Sequence, residues 1–235
     1  MKNPTRQTIL ISGASGFIGR ALLLYFEQQQ FRTIGLVRKQ TAAFESRVFD
    51  MNEQHIPDSL FQEVDVFIHA AYIKQHGNED TYTINVEGSR RLLEAALKAG
   101  VKQVVFISSL AAHDGALSVY GKQKHAIEKI MLEKQQAVIR PGLVLGHGGL
   151  FASLTAHLKK SRKIPLFGGG LQPLQTVHID DLVQAIAVVV NKELTGVFTV
   201  AEKEAISFRR FYELLAASQQ VKPQFIPFPY WMMRM

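Results

Sequence analysis

Residues 8–19, Thr8-Ile9-Leu10-Ile11-Ser12-Gly13-Ala14-Ser15-Gly16-Phe17-Ile18-Gly19, carry the strongest structural signal in the chain. A run of strand length is followed by a G-x-x-G-x-x-G loop and then by a segment of helical period. Gly13 permits a tight turn, Gly16 lets backbone N–H groups approach a pyrophosphate, and Gly19 lets the helix pack closely on the strand. Between a strand and a helix, this loop predicts a dinucleotide site rather than a structural turn alone.

Apolar runs of strand length alternate with stretches of helical period through most of the chain. Further strands are predicted at 33–37, 48–49, 64–69, 101–108, 137–140 and 196–200, and helices at 17–29, 78–100, 117–134, 150–161, 180–191 and 207–218. This alternation indicates an α/β fold with parallel strands and right-handed crossovers. We predict a Rossmann-type doubly wound parallel sheet at 1–147. A small C-terminal substrate lobe should follow at 148–235, with 176–201 returning to the core.

Composition excludes several classes of protein. The chain has 235 residues, a net charge of +7 and no cysteine, so disulfides, thiol nucleophiles and thiolate zinc sites are ruled out and a cytoplasmic location is favoured. No apolar run reaches the roughly 18 residues of a membrane helix, and the N-terminal apolar stretch is too short for a secretory signal. No two of the eight histidines have i, i+3 or i, i+4 spacing. A helix-borne metal site is therefore not expected.

The positive charge is scattered rather than gathered into a nucleic-acid surface. Its tightest cluster, at 157–163, lacks the interleaved aromatic residues that stack on bases. A solvated helix end is the favoured interpretation, with an anionic small-molecule site or a polyanion surface as alternatives. We expect no nucleic-acid partner.

The end of the predicted second strand indicates which dinucleotide is bound. An acidic residue here accepts from the ribose 2′-hydroxyl of NAD, whereas a basic residue suits the 2′-phosphate of NADP. Arg38 and Lys39 occupy this place without a carboxylate, and a guanidinium offers a planar fork to phosphate. The sequence predicts NADP, with NAD possible; the alternative is a solvated pair of cations.

Tyr120 and Lys124 lie one helical turn apart, and Ser108-Ser109 end the strand predicted at 101–108. An ammonium about 4 Å from a phenol contributes roughly 4 kcal/mol at an effective dielectric of about 20, enough to bring a tyrosine pKa from about 10 toward 7. Such a group suits acid/base chemistry at a carbinol, and a strand-end hydroxyl can orient a carbonyl. In isolation, the tyrosine and lysine would more often be surface residues.

In these motifs the chain resembles the short-chain dehydrogenase/reductase superfamily, specifically its extended or atypical branch of NAD(P)-dependent epimerases and dehydratases. The resemblance covers nearly the whole length. Besides the glycine loop and residues 120–124, it rests on 65–71 (DVFIHAA), 85–89 (NVEGS), 92–96 (LLEAA), 106–109 (FISS), 140–142 (RPG) and 177–182 (VHIDDL).

The resemblance implies roles for the residues that match its motifs. Ser109 would be the catalytic hydroxyl with Ser108 as the fallback, Tyr120 the acid/base, and Lys124 its partner and a ribose contact. Cofactor contacts would come from Arg38, Lys39, Tyr120 and Lys124, and from the glycine-loop residues Gly13, Ser15, Gly16, Phe17, Ile18 and Gly19. Asp50 and Met51 would meet the adenine, and Ala70 and Ala71 would line the cofactor. Pro141 and Leu143 would border the nicotinamide.

The same resemblance implies a carbonyl, carbinol or sugar-nucleotide substrate and a homodimer through the helices at 78–100 and 117–134. Asn85 should pin its helix to a neighbouring strand. Only 11 positions separate Ser109 from Tyr120, and little follows the last predicted helix. Relatives carry more in both places, which argues against a large nucleotide sugar and suggests a truncated form. A non-catalytic NAD(P)H-binding redox or assembly protein is the alternative function.

Overall fold

The computed structural model describes residues 7–74 and 81–228, in which strands and helices alternate. The strands are β1 (Thr8–Ser12), β2 (Arg32–Val37), β3 (Ser46–Val48), β4 (Val66–His69), β5 (Gln103–Ile107), β6 (Ala137–Pro141), β7 (Leu143–Leu145), β8 (Lys163–Phe167), β9 (Pro173–Leu174), β10 (Thr176–His178), β11 (Gly196–Val200), β12 (Ile206–Ser207) and β13 (Gln224–Phe228). The helices are α1 (Phe17–Gln28), α2 (Gly88–Lys98), α3 (Val119–Glu133), α4 (Gly149–Ser161), α5 (Ile179–Asn191) and α6 (Phe208–Ser218).

Seven of the described strands form one parallel sheet in the order β11-β6-β5-β4-β1-β2-β3. The chain moves outward from β1 to β2 and β3, then crosses back to β4 and continues to the other edge. The order therefore reverses between β1 and β4, and ligands of doubly wound sheets bind beyond the carboxyl ends of the strands at this reversal. The predicted α/β class and doubly wound parallel sheet are confirmed.

The chain divides into two compact units. The first comprises the residues up to Pro141 together with Asp180–Val200, and the second comprises Gly142–Ile179 and the residues from Ala201 onward. The first boundary lies before the position at 147 that the sequence suggested. Leu143 begins a strand that pairs with β10, and its N–H donates to the Gln175 carbonyl. These bonds hold residues 143–145 within the second unit.

The central strands of the main sheet are buried. Every residue of β1 and β5 is buried, as their nearly continuous apolar sequences predict for central parallel strands. On one face, Leu10, Phe67, Val104 and Phe106 pack with Leu92 and Leu93 of α2 and with residues of α3. This packing holds α2 and α3 in place against the sheet, and so positions the side chains of the candidate site.

The second unit has its own small core and short strands. Leu158, Ile164, Leu166, Phe211 and Leu215 form the centre of that core. Its two-stranded sheets pair β7 with β10, β8 with β13, and β9 with β12. Most of these strands were not predicted, because proline and glycine punctuate this region and proline is tolerated only at strand edges and bulges. Two-stranded ladders consist entirely of edges, so Pro165 and Pro227 fit within them.

The helix predicted at 78–100 differs in form from a regular helix. Residues 78–80 lie outside the described residues, and Thr83–Glu87 form a π-helical turn that leads into α2. Asn85 lies in this turn and is buried. A π turn redirects the side chains of a helix and is often found at functional sites. Among the described helices, none is long and apolar enough to cross a membrane.

Gly19 allows α1 to lie directly on the loop after β1. A Cβ at this position would overlap the Gly13 carbonyl oxygen and lie 2.8 Å from the Cα of Ala14. These are backbone atoms that cannot move aside without shifting the loop. The structural role predicted for Gly19 thus follows from contact with the turn itself.

We expect Gly19→Ala to lower the free energy of unfolding by about 1–3 kcal/mol, because overpacking against backbone outweighs the better helix propensity of alanine. Leu24→Ala on the exposed face of α1 is the matched control, with an expected change within about 0.5 kcal/mol. Urea unfolding measures both. A Gly19→Ala protein as stable as the wild type would contradict this close packing.

Candidate functional site

A cavity of about 950 Å³ lies beyond the carboxyl ends of β1, β2 and β4 in the first unit. Nine of the predicted cofactor residues line it: Gly13, Ser15, Gly16, Arg38, Lys39, Asp50, Met51, Ala70 and Ala71. Its wall also includes residues that the sequence analysis did not identify: Ser12, Leu36, Val37, Phe49, Tyr72, Ile73, Lys74 and Leu92. The cavity thus occupies the place at which the strand order reverses.

The glycine loop leaves the start of α1 open to an anion. Gly13 has φ of 69°, and the N–H of Gly16 donates to the Gly13 carbonyl at 2.8 Å, which closes the turn. Gly16 is the N-cap, without a side-chain cap, and the first turn of α1 holds no acidic residue. The free N–H groups and the positive end of the helix dipole therefore suit a pyrophosphate. A dinucleotide fits this loop.

The far end of the cavity carries positive charge. Arg38 and Lys39 are exposed and follow β2 directly. Asp50 lies on the same wall, where its Oδ1 accepts from the N–H of Asn52 at 3.0 Å. Met51 is buried, and its carbonyl accepts from Arg91. These four residues therefore line one part of the cavity, and their contacts with an adenosine stay a prediction.

Several predicted cofactor residues lie elsewhere in the structure. Phe17, Ile18 and Gly19 form the first turn of α1 and do not line the cavity. Pro141 ends β6 in the first unit, whereas Leu143 begins β7 in the second. Their contacts with a cofactor stay a prediction.

Ser109, Tyr120 and Lys124 converge at the start of α3. The N-cap Ser118 accepts from Gly121 N–H at 3.0 Å and sets where this helix begins. The neighbouring Ser109 hydroxyl opposes a rise in the pKa of Tyr120 that burial causes. Lys124 is only 2 % exposed, and its Nζ lies 6.0 Å from the centre of the Tyr120 ring.

The expected effect of Lys124 on Tyr120 is not found in this structure. Lys124 donates to the Ile107 carbonyl at 2.6 Å and lies 4.5 Å from the centre of the Phe106 ring. Burial lowers the pKa of Lys124 from 10.5 to about 7, against the opposing effect of Glu128. Burial also raises the pKa of Tyr120. The prediction that the ammonium lowers the pKa of Tyr120 toward 7 is therefore wrong for this structure, because desolvation dominates both groups.

The two serines at the end of β5 have different environments. Ser108 is buried, and its hydroxyl donates to Glu128 at 2.5 Å, where Arg140 also pairs with both carboxylate oxygens. Ser109 instead faces Tyr120, and its Oγ accepts from the N–H of Ala111 at 3.2 Å. Ser109, and not Ser108, is therefore the hydroxyl beside Tyr120.

A chain of buried hydrogen bonds centred on His69 links the cavity to the helices. Ser12 donates to His69 Nδ1 at 2.6 Å, while its Oγ accepts from the N–H of Ala71. His69 Nε2 lies 2.8 Å from the Oγ of Ser89, which itself donates to the Asn85 carbonyl. Because a carbonyl only accepts, the proton of His69 must lie on Nε2.

His69 is held neutral in this chain. Burial, with a smaller contribution from Lys124, lowers the pKa of its imidazole from 6.5 to about 3. The histidine therefore acts as a hydrogen-bonding residue rather than as an acid or base. Its partners order the loop that carries Ala71.

Asn85 extends this chain of hydrogen bonds toward α3. Its Oδ1 accepts from the N–H of Ile73 and its Nδ2 donates to the Ile73 carbonyl, at 2.8 and 2.9 Å. These bonds give Asn85 a structural role, although they join the π turn to the loop after β4 and not to a strand as predicted. Its Nδ2 also donates to Gln123 at 3.0 Å.

Tyr72 and Gln123 are site residues that sequence reasoning missed. The Tyr72 hydroxyl donates to Gln123 Oε1 at 2.8 Å, and its ring meets that of Tyr120 edge-on at 4.9 Å. Gln123 lies inside the Tyr120–Lys124 motif, and this position is the sequence feature that could have identified it as a site residue. Among the described residues, no cluster of three or more potential metal ligands is found.

Comparison with known proteins gives consistent matches along most of the chain. A model of the NAD dependent epimerase/dehydratase family matches residues 9–201. Ceramide reductase of Caulobacter vibrioides is 26 % identical over 97 % of this chain and 76 % of that protein. UDP-glucose 4-epimerase of Vibrio cholerae is 24 % identical over 96 % of this chain and 80 % of that protein.

A likeness of fold is found among solved structures. UDP-glucuronic acid 4-epimerase from Bacillus cereus, solved in complex with NAD, gives a TM-score of 0.79 at 20 % identity over 95 % of this chain and 88 % of that one. At this level of identity the likeness concerns the fold alone.

We expect His69 to make stability depend on pH in a defined direction. The folded protein keeps the imidazole neutral, whereas the unfolded chain takes up a proton below pH 6.5. Stability from this group is therefore complete above pH 6.5 and falls toward pH 3, by about 1.4 kcal/mol per pH unit.

Urea unfolding between pH 7 and 4 tests this dependence. His69→Asn should start less stable than the wild type and show a slope shallower by about 1.4 kcal/mol per pH unit. His55→Asn replaces an exposed histidine of the same unit and should leave the slope unchanged. Parallel curves for His69→Asn and the wild type would rule out a buried neutral imidazole.

Proposed function

Because the chain belongs to the NAD dependent epimerase/dehydratase family, we propose that it is an NAD(P)-dependent oxidoreductase, epimerase or dehydratase that acts on a carbonyl, carbinol or sugar-like substrate. The observation that carries this proposal is the convergence of Ser109, Tyr120 and Lys124 next to Tyr72, a wall residue of the cavity. A protein that only bound a dinucleotide would not need this group of side chains.

The residues of the cavity fit a dinucleotide along its length. The open start of α1 and the glycine loop would hold the pyrophosphate, and Asp50 and Met51 would border the adenine. When bound, the nicotinamide accepts or donates a hydride. The chain binds and orients this group and exchanges the accompanying proton.

Tyr120 is the group that we assign to proton exchange with the substrate oxygen. The Ser109 hydroxyl lies beside Tyr120, and it could orient a substrate oxygen. Burial lowers the pKa of Lys124 to about 7, so the ammonium and the neutral amine are both populated near neutral pH. An anionic or hydroxyl-rich ligand beside Lys124 would favour its charged form and thereby the phenolate of Tyr120.

We further propose a preference for NADP. Arg38 and Lys39 form the exposed basic end of the cavity, directly after β2. A guanidinium can pair with a 2′-phosphate through two parallel hydrogen bonds. Asp50 lies on the same wall.

We expect Arg38→Ala to weaken NADPH binding about ten- to a hundredfold while NADH binding changes less than threefold, because charge-assisted hydrogen bonds contribute about 1.5–3 kcal/mol. Titration calorimetry at fixed salt measures both affinities. Lys134→Ala removes an exposed charge outside the cavity and should leave the NADPH/NADH ratio unchanged. A wild-type protein that binds NADH several-fold tighter would refute the preference.

Tyr120→Phe should retain cofactor affinity within about threefold and lose at least a hundredfold in kcat, since general acid/base catalysis contributes about 10²–10⁴ in rate. Turnover is followed by nicotinamide absorbance with carbonyl and carbinol substrates, and by chromatography of products from sugar nucleotides. Tyr25→Phe on α1 is the matched control and should keep full activity.

Two results would contradict the proposal. One is undiminished turnover by Tyr120→Phe. The other is tight NAD(P)H binding by both proteins with no turnover in either substrate class. The second result would instead support a non-catalytic NAD(P)H-binding protein.

A further inference from the structure

Two phenols, not one, stand beside the buried ammonium of Lys124. Its Nζ lies 5.3 Å from the centre of the Tyr72 ring and 6.0 Å from that of Tyr120. The two rings meet edge-on, with centres 4.9 Å apart. Distance to the cation alone therefore does not select Tyr120 as the phenol that ionises.

The hydrogen bonds around Gln123 distinguish the two tyrosines. The N–H of Ile73 can only donate, so the atom of Asn85 that faces it is Oδ1, and Nδ2 faces Gln123. An amide nitrogen donates, so the atom of Gln123 that receives it is Oε1. Gln123 Nε2 in turn donates to Thr81 Oγ1 at 3.0 Å.

The orientation of Gln123 determines the direction of the Tyr72 hydroxyl. Tyr72 meets the same Oε1 at 2.8 Å, and since that atom accepts, the phenol must donate. Ionising Tyr72 would remove this hydrogen bond and set a phenolate against a carbonyl oxygen. Tyr120 has a different neighbour, since the Ser109 hydroxyl lies beside it and, unlike a carbonyl oxygen, can donate to a phenolate.

We propose that Gln123 is a positioning residue that keeps Tyr72 protonated, so that Tyr120 is the phenol that exchanges a proton beside Lys124. Gln123 is 2 % exposed, and its two ends are engaged by Asn85, Tyr72 and Thr81. This inference rests on the proposed function in taking Tyr120 as the acid/base. It adds that Gln123 determines which of the two neighbouring tyrosines ionises.

The charged and titratable groups around the pair are few among the described residues. Lys124 lies on α3, with Glu128 one turn beyond it, and the neutral His69 ends β4. Burial raises the pKa of Tyr72, and Tyr120 raises it further. The two phenols thus titrate as neighbours, and a change at one affects the other.

The first experiment observes ionisation without turnover. Full-length protein is labelled with ¹³C at the tyrosine carbon that bears the hydroxyl, and the resonances are assigned with Tyr72→Phe and Tyr120→Phe. In the wild type, Tyr120 should ionise at lower pH than Tyr72. In Gln123→Met, the Tyr72 midpoint should fall by about one pH unit, because a hydrogen bond to the neutral phenol is lost.

Two further variants guard against a loss of folding. Lys122→Met on the same helix is exposed and should leave both midpoints unchanged. Gln123→Glu retains an acceptor oxygen and should keep the Tyr72 midpoint at or above its wild-type value. The proposal is overturned if Tyr72 ionises first in the wild type, or if Gln123→Glu lowers its midpoint. An unchanged or higher midpoint in folded Gln123→Met would also overturn it.

The second experiment uses turnover and a rescue. Gln123→Met should shift the pH profile of kcat, and Gln123→Met/Tyr72→Phe should restore its shape, since the competing phenol is gone. A purely structural role of Gln123 would give no rescue and would contradict the proposal. An absence of turnover would contradict the proposed function instead, and the titration of Tyr72 would still decide the role of Gln123.

Discussion

The neutral imidazole of His69 determines the direction of the hydrogen bonds on which the candidate site depends. It accepts from Ser12 at the end of β1 and donates to Ser89 on α2, so its proton lies on one nitrogen. Burial keeps the pKa of this histidine at about 3, which preserves the arrangement across neutral pH. A protonated ring would have two donors and would reverse the bond to Ser12.

The same hydrogen-bond network extends to the candidate cofactor cavity and to α3. Ser12 also receives the N–H of Ala71, Asn85 holds the backbone of Ile73, and Gln123 holds the hydroxyl of Tyr72. Three consecutive residues of one loop are thus held by side chains from β1, the π turn and α3. Fully satisfied buried networks of this kind make a site rigid before its ligand arrives. The floor of the cavity and the helix that carries Tyr120 are therefore joined by one hydrogen-bond network.

Much of this architecture could be read from local sequence. The glycine loop, the unbroken apolar run at 101–108 and the regular alternation of elements predicted the parallel sheet and its cavity, because each is a local pattern with one common structural solution. The strands of the second unit were harder to predict. Pro165 and Pro227 argue against strands in isolation, and only the pairing of β8 with β13 makes their positions acceptable.

The residues by themselves determined the fold class, the anion-binding turn and the presence of a serine, a tyrosine and a lysine near the strand ends. Only the tertiary structure decided which serine faces Tyr120, since Glu128 engages Ser108 from one turn beyond Lys124. It also decided that Lys124 is buried against Phe106 and Ile107, and that Tyr72 stands beside Tyr120. The physical reason is that burial and hydrogen-bond direction depend on groups distant in sequence, whereas spacing reports only neighbours along one element.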